Sequence, residues 1–480
     1  MAGRGQLTAA LAGLALIGTA ACSVAPPYHV PTTPVPAAFK EAAPWQSAAA
    51  TPPSAGNWWQ AFGDPTLSDL EGRIERGNFT LAAAAARYEQ ARGLLRQTRG
   101  SLFPEIDLGA AASRTRVSAD RPLTSGSAAT YNVGQVGPSL TYEIDLFGRV
   151  RNSVRAASDT AQASAADVAA VRLGLQAQLA TAYFDMRGLD ARIVLLRQTV
   201  AAYARANDLT NTRHQGGIAS GIDTSRSQAQ LSSARAELSA VATARANDEH
   251  AIAVLTGEAP ATFAIAVVDR QTPPPLIPAG LPSTLLERRP DIAAAERRVA
   301  AANARIGVAR AALFPSITLG ASTGFQAASG ALLSAGATYW ALGPLGVAQA
   351  IFDGGRRRGG VEIARGQFDE AAADYRQTVL AAFREVEDDL NAARNLAQQE
   401  RDQQDAAAAA ERTRDLALIR YRDGAADYLE VTTAQTAALD AGRALLQVRS
   451  SQLETATDLF RALGGGYAAT AKLPPAAQTG

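Results

Sequence analysis

The stretch Leu281–Gly320, LPSTLLERRPDIAAAERRVAAANARIGVARAALFPSITLG, decides how the rest of the chain is read. Thr284 with Glu287 three residues on has the form of a capping box, which predicts the start of a short helix. Pro290 breaks that run. Asp291 then falls in the first turn of a second helix, where a carboxylate suits the helix dipole. This second helix, rich in Ala and Arg, is expected to reach about Ala312, where Phe314-Pro315 stops it. From Ser316 to Ser322 apolar and polar residues alternate, so Ile317, Leu319 and Ala321 share one face of a half-buried strand. A long polar-faced helix thus feeds into a strand with almost no loop, which is unusual for a globular enzyme.

The same transition occurs earlier, where SLFPEIDLG (101–109) mirrors ALFPSITLG (312–320). With LLERRPDI and AANARIG, and further YEIDLFGRVR (142–151), IFDGGRRR (351–358) and YRQTVLAAFREVEDDL (375–390), the chain resembles the TolC-like outer membrane factors of bacterial efflux systems, in particular the OprM/NodT-type lipoproteins. The resemblance covers nearly the whole mature chain.

Composition sets bounds without that resemblance. A net charge of +1 offers no basic field for nucleic acid. Lysine occurs only at Lys40 and Lys472, and the single cysteine excludes an intrachain disulfide or a cysteine-rich metal site. No run of 18 apolar residues follows the N-terminus, so no membrane-spanning helix is expected. The first residues read as a targeting segment: Arg4, an apolar core from Leu7 to Ile17, then small residues up to Cys22. Residues 1–21 are therefore expected to be a signal peptide, with Cys22 the acylated first residue of the mature chain; Thr19 departs from the usual lipobox. By resemblance, Ser23 after the cysteine implies sorting to the outer membrane.

Residues 22–56 are rich in Pro, Ala and Ser and read as a lipid-anchored tether unable to build a core. Trp58, Trp59 and Phe62 open the folded part as buried anchors. A helix from about Asp64 to Gly100 follows, then a hairpin within 103–146 and long helices over 149–214 and 222–255. In the first of these, Val168, Val171, Leu175, Leu179, Ala182, Met186, Leu189, Ile193, Leu196, Val200 and Tyr203 recur in steps of three and four, a coiled-coil-like seam. Pro273-Pro274-Pro275 marks a joint over 271–282. Residues 283–463 then repeat the order of 57–270, with a hairpin within 314–352 and helices over 354–421 and 427–463. Gly217 answers Gly424 at an offset of roughly 207 residues, the mark of a tandem repeat. Residues 464–480, including the Gly464-Gly465-Gly466 run, read as a disordered tail.

Counting leads to an architecture. Each half supplies one hairpin, so one chain has four strands, while a barrel closed in lipid needs at least about 8. Oligomerisation is required, and the resemblance implies a homotrimer, whose strands number about 12 and leave a channel. The expected fold is mainly α with a small β part: a coiled-coil-like α-helical periplasmic barrel continuous with a membrane β-barrel completed by trimerisation. Each long helix, at about 63 to 68 residues, would extend about 95–100 Å.

No reaction chemistry is legible. His29, His214 and His250 are scattered, Gly217-Ile-Ala-Ser-Gly221 falls at a helix–helix turn rather than a nucleophile elbow, and neither lysine follows a P-loop. Neither a cofactor nor a metal is expected. The resemblance implies a passive exit duct that receives small molecules from an inner-membrane pump of the resistance-nodulation-division type through a periplasmic adaptor. Other readings are the exit duct of a type I protein secretion system, and a structural coiled-coil lipoprotein, although a spacer has no use for hairpins with apolar faces.

Three sets of residues follow. Ile106, Leu108, Ile317 and Leu319 are expected to face lipid, with Phe103, Phe147, Phe314 and Phe352 either an aromatic belt or plugs at the helix–strand corners. Arg149, Arg151 and Arg155 in one half, and Arg356, Arg357 and Arg358 in the other, begin the long helices against the dipole, which points to a basic girdle at lipid phosphates or to a charged lumen. By resemblance, the periplasmic gate lies after the second helical turn. Tyr421 and Asp427 flank that turn, Leu429 matches a hydrophobic ring position, and Glu430 or Asp427 supplies charge to Arg420 or Arg422. Thr433 stands where the family commonly has an Asp.

Overall fold

A computed structural model describes residues 23–42, 56–120, 127–268, 272–275, 277, 282–328 and 335–467. Helices α1 (Pro65–Gly77) and α2 (Phe79–Gly100) lead into strands β1 (Glu105–Val117) and β2 (Ala129–Ile144), followed by α3 (Arg149–Gln215) and α4 (Gly221–Thr256). The order then recurs as α5 (Pro282–Arg288), α6 (Pro290–Ala311), β3 (Ser316–Ala327), β4 (Thr338–Ala348), α7 (Arg356–Arg422) and α8 (Tyr428–Ala462). Two compact units emerge, and both draw on both halves of the sequence: one comprises residues up to Thr32, Arg87–Ser164 and Ala294–Arg376, the other Thr33–Ala86, Ala165–Ala293 and Gln377 onward. The expected signal peptide (residues 1–21), Cys22, the loop expected at Pro122 and Gly126, and residues beyond Tyr467 lie outside the described residues.

In the first unit the strands form one antiparallel sheet in the order β1-β2-β3-β4. Its helices start where carboxylates make them start. Asp145 accepts the N–H groups of Val150 (3.1 Å) and Arg151 (2.8 Å), and Asp353 accepts those of Gly355 (3.0 Å) and Arg357 (3.3 Å). A negative charge on the free N–H groups of a first turn offsets the arginines that follow. The tether is seated against this unit: Asn152 donates to the Ser23 hydroxyl (3.1 Å), Asn303 to the Pro26 carbonyl (3.1 Å), and the Tyr28 hydroxyl is bound by Glu296.

The second unit holds the helical core. Of the expected seam, Val168, Leu175, Leu179, Met186, Ile193, Leu196 and Tyr203 are buried. Ile193 and Leu196 pack with Val241 of α4 and Leu439 of α8. Trp58, Phe62, Phe184 and Phe460 form an aromatic cluster, with Phe62 and Phe184 centred 4.7 Å apart. A buried charge knot, absent from the sequence reading, ties α3 to α4: Asp190 accepts from Arg187 (2.9 Å) and Arg245 (2.9 Å), and these arginines also bind the carbonyls of Ala266 and Ile265. A buried ion is tolerated when it is fully paired in this way.

Four expectations are corrected. The helix from Asp64 to Gly100 is broken at Asn78, whose side chain donates to the Leu255 carbonyl (2.8 Å) while its oxygen caps α2 at Leu81 (2.9 Å). Helix α5 begins at Pro282, ahead of the capping box expected at Thr284, whose side chain lies outside the described residues. The tether does contribute to a core: Phe39 is 4% exposed, and Glu387 accepts the N–H groups of Lys40 (2.8 Å) and Glu41 (2.9 Å). Finally, Gly464 and Gly465 are not part of a loose tail. Gly464 has φ +88°, and a Cβ there would lie 2.1 Å from the Arg288 carbonyl oxygen. It closes α8 as Gly257, with φ +77° against Gly77, closes α4.

Candidate functional site

The sheet separates two chemistries by alternation alone. Directly opposed residues of an antiparallel pair point to the same face. Ile106, Leu140, Ala321 and Leu342 lie opposite one another across the four strands, as do Tyr142, Leu319 and Leu345, and Ile144, Ile317 and Val347. The intervening rows are polar or small: Asp107, Ser139, Ser322 and Ala341, then Glu143, Thr318 and Gly346. The first face is apolar yet lies open, with Leu108 80% and Trp340 80% exposed. Strands β1 and β4 each have one unpaired edge among the described residues. An open apolar face flanked by two free edges is unstable in water and demands both lipid and further strands.

The structure separates the four aromatics. Phe147 and Phe314 stack on each other at 4.7 Å, as corner plugs, whereas Phe103 and Phe352 stand open. The arginines also divide. Arg149 is held by Glu143, Arg151 by Asp145 (3.1 Å) and Arg357 by Asp353 (3.8 Å). These pairs reduce the free positive charge expected of the clusters. Arg155, Arg356 and Arg358 make no ion pair among those recorded for the described residues. The carboxylates were visible in YEIDLFGR (142–149) and in Asp353 of IFDGGRRR; reading the arginines alone missed them.

In the second unit two helical turns share one design. Gly217 (φ +72°) and Gly424 (φ +79°) turn the chain, since only glycine takes this conformation without strain. Ser220 with Asp223 then caps α4 through a capping box, and Asp427 caps α8 by accepting the Glu430 N–H (3.0 Å). Tyr421, Tyr428 and Val431 are buried together with Leu209 and Leu418 around them. Burial pushes the Tyr428 hydroxyl up to about 12, so it stays neutral. Arg213 lies over the Tyr421 ring (4.6 Å to its centroid) and donates to the Tyr421 carbonyl, fastening the end of α3 to the end of α7.

Leu429 is not part of this core. It is 50% exposed, while its neighbour Tyr428 is 2% exposed. Glu430 pairs with Arg420 (3.3 Å), Arg422 with Asp423 (3.2 Å), and the Thr433 hydroxyl turns back to the Leu429 carbonyl (2.8 Å). Asp427 serves as a cap rather than as a partner of either arginine. Arg213 was missed in the sequence because one arginine in a helix carries no local signal of a contact 208 residues away.

Comparison with known proteins matches this geometry. The chain is 34% identical over 471 residues to the probable efflux pump outer membrane protein SepC of Pseudomonas putida, covering 96% of this chain and 98% of that protein. It is 34% identical over 458 residues to the outer membrane protein OprJ of Pseudomonas aeruginosa, covering 93% of each. Its fold is similar to that of the outer-membrane channel OprN (TM-score 0.87, 30% identity, 93% of this chain and 99% of that one). It is also similar to the open state of the Neisseria gonorrhoeae MtrE outer membrane channel (TM-score 0.80, 28% identity, 93% and 98%). The family described as outer membrane efflux protein matches twice, over residues 72–258 and 281–465, once for each half. The chain therefore belongs to the outer membrane efflux protein family.

Proposed function

We propose that this chain is the outer-membrane exit duct of a tripartite efflux system and that it works as a homotrimer. The observation that carries this reading is the four-stranded sheet with one apolar face, one polar face and two free edges. One copy cannot close a barrel, whereas three copies of four strands bring the count to about 12, enough for a water-filled lumen. The polar rows then line that lumen and the apolar rows meet lipid. Curated relatives carry names such as toluene efflux pump outer membrane protein, which favours small organic molecules over proteins as cargo. An inner-membrane pump of the resistance-nodulation-division type and a periplasmic adaptor supply the cargo, and no catalytic step is assigned to this chain.

Three features are placed by the same reading. Cys22 is the acylated residue. Ser23 sits against Gly148, between β2 and α3, so the acyl chains enter the leaflet beside the hairpins. Arg155, Arg356 and Arg358 form the basic girdle toward lipid phosphates, with Arg149, Arg151 and Arg357 partly neutralised by their carboxylates. Leu429 forms the hydrophobic ring of the periplasmic gate. Its exposure in one protomer leaves it free to meet two symmetry mates, while Tyr421, Asp427, Glu430 and Thr433 shape the turn that presents it.

Native mass spectrometry of the full chain from detergent tests the assembly: a trimer is expected, and a monomer or dimer refutes it. Deleting the gene in its host should raise intracellular accumulation of small efflux substrates, and unchanged accumulation refutes the cargo reading.

A further inference from the structure

Both halves of the chain turn the corner between helix and strand with the same aromatic residues. SLFP (101–104) leads into β1 and ALFP (312–315) into β3, so Phe103 corresponds to Phe314. Leu146-Phe147 follows β2 and Ile351-Phe352 follows β4, so Phe147 corresponds to Phe352. Yet the two pairs end differently. Phe147 and Phe314 stack within the chain, with centroids 4.7 Å apart and planes 18° apart, whereas Phe103 and Phe352 are 70% and 90% exposed. Strand order accounts for the difference. Strands β2 and β3 are neighbours with Ile144 opposite Ile317, and three further residues along each strand set Phe147 opposite Phe314. Strands β4 and β1 are the two edges of the sheet, so the corresponding pair is split between its ends.

We propose that Phe352 of one copy stacks on Phe103 of the next, so that the aromatic corner built once within each chain is built again between chains. The inference rests on the homotrimer reading and adds to it the contact and register by which one copy meets another. Chain directions agree. Strand β2 runs toward Phe147 and β3 away from Phe314, and in the same sense β4 runs toward Phe352 and β1 away from Phe103. The faces agree as well. Phe352 lies five residues beyond Val347 and Phe103 five residues before Leu108, so opposing the rings sets Val347 opposite Leu108 and Leu345 opposite Ala110. All four belong to the apolar rows, whereas a slip of one residue would set apolar rows against polar ones. The free N–H and C=O groups of both edges find partners in this pairing, and two open rings leave water in the offset stack that aromatic pairs prefer. Each corner where sheet gives way to helix is then closed by the same plug, alternately within a chain and between chains.

The test is cysteine cross-linking of the full-length protein in detergent, with native mass spectrometry of every variant. Cys22 is the only native cysteine, so the wild type serves as the blank. Phe103→Cys combined with Phe352→Cys and treated with a short bis-maleimide should run mostly as covalent dimer and trimer on a denaturing gel. Either single variant should remain at monomer mass. Phe147→Cys with Phe314→Cys should link within the chain and also stay at monomer mass. If losing both rings prevents assembly, Leu108→Cys with Val347→Cys keeps the rings and reads the register. Directly opposed residues bring their Cα atoms within about 4.5–5.5 Å, inside the range of a disulfide, so oxidation should join the copies. Ala110→Cys with Val347→Cys, a diagonal pair in this register, should not be joined. A native trimer whose copies are joined by neither the Phe103 and Phe352 pair nor the Leu108 and Val347 pair overturns the stack. So does a disulfide between the Ala110 and Val347 positions in place of Leu108 and Val347, because it moves Phe352 past Phe103. A wild type that is not a trimer overturns the homotrimer reading, and the stack with it.

Discussion

Arginine placed at two neighbouring residues of β2 should have opposite consequences. The apolar face of β2 runs from Gly134 to Ile144, about 11 residues or about 36 Å of strand at 3.3 Å per residue. A tilt near 40° reduces that to about 28 Å, close to the ~25 Å apolar band of an outer-membrane barrel. Leu140 lies near its middle, opposite Ile106 and Ala321 on the same face. Leu140→Arg therefore places a cation at mid-depth in lipid, at about 2–4 kcal/mol per copy. Three copies raise this to about 6–12 kcal/mol per barrel, comparable to the whole stability of a typical domain. Ser139 points the other way, opposite Asp107 and Ser322. Ser139→Arg would stay in water and face the Asp107 carboxylate, a change worth at most about 1 kcal/mol in its favour. Heat-modifiable trimer in outer-membrane fractions is the readout. Leu140→Arg should lose most of its trimer, Leu140→Ala should keep it, and Ser139→Arg should keep it while shifting single-channel selectivity toward anions. Leu140→Arg assembling as well as wild type, or both arginine variants failing alike, would refute the assignment of faces.

Leu429→Ala should raise the resting conductance of the trimer in planar bilayers several-fold, and Thr433→Ala should change it little; a Leu429 variant as closed as wild type removes the ring. Glu71, with both carboxylate oxygens buried and unpartnered among the described residues, is raised well above its usual range by burial and by Glu75. The stability it lends is present at acid pH and lost as the pH rises through its folded value, so Glu71→Gln should raise the melting midpoint at pH 8 by a few degrees and at pH 4 by much less. A midpoint raised equally at both pH values counts against this. Replacing Arg356, Arg357 and Arg358 together with Gln should weaken insertion into vesicles containing anionic lipid; intact insertion with altered ion selectivity would move the girdle to the lumen.

The sequence disclosed what depends on periodicity and withheld what depends on a distant partner. Strand alternation placed Ile106, Leu108, Ile317 and Leu319 on one face, because a half-buried strand writes its environment into every second residue. The seam from Val168 to Tyr203 was legible for the same reason. Asn78 and Arg213 were not legible. Each is a single polar residue in a helix or at its end, and its partner lies elsewhere in the chain. The tether was misread because Pro-rich composition describes only the backbone, whereas one aromatic residue, Phe39, and two N–H groups on Glu387 suffice to seat it.

The repeat shows how this hidden information is organised. In the first half, the Asn78 side chain donates to the carbonyl of Leu255, near the end of α4. In the second half the Arg289 side chain donates to the carbonyl of Ala462, the last residue of α8 (3.1 Å), and Leu255 and Ala462 stand at the same offset as Gly257 and Gly464. Both halves therefore solve one problem, satisfying the unpaired carbonyls where a long return helix ends against the joint of two shorter ones. The solutions differ in charge. Asn78 is neutral, while Arg289 requires Asp291 (2.7 Å) and Glu385 (2.8 Å) to remain buried as an ion. A neutral amide can be exchanged for another small capping group at modest loss. A buried guanidinium cannot lose either carboxylate without leaving charge uncompensated, which costs several times more. The RRPD segment of the opening stretch is thus constrained by α7 and α8, which lie far along the chain, whereas the Asn78 side chain answers to the end of α4 and to the first turn of α2 beside it.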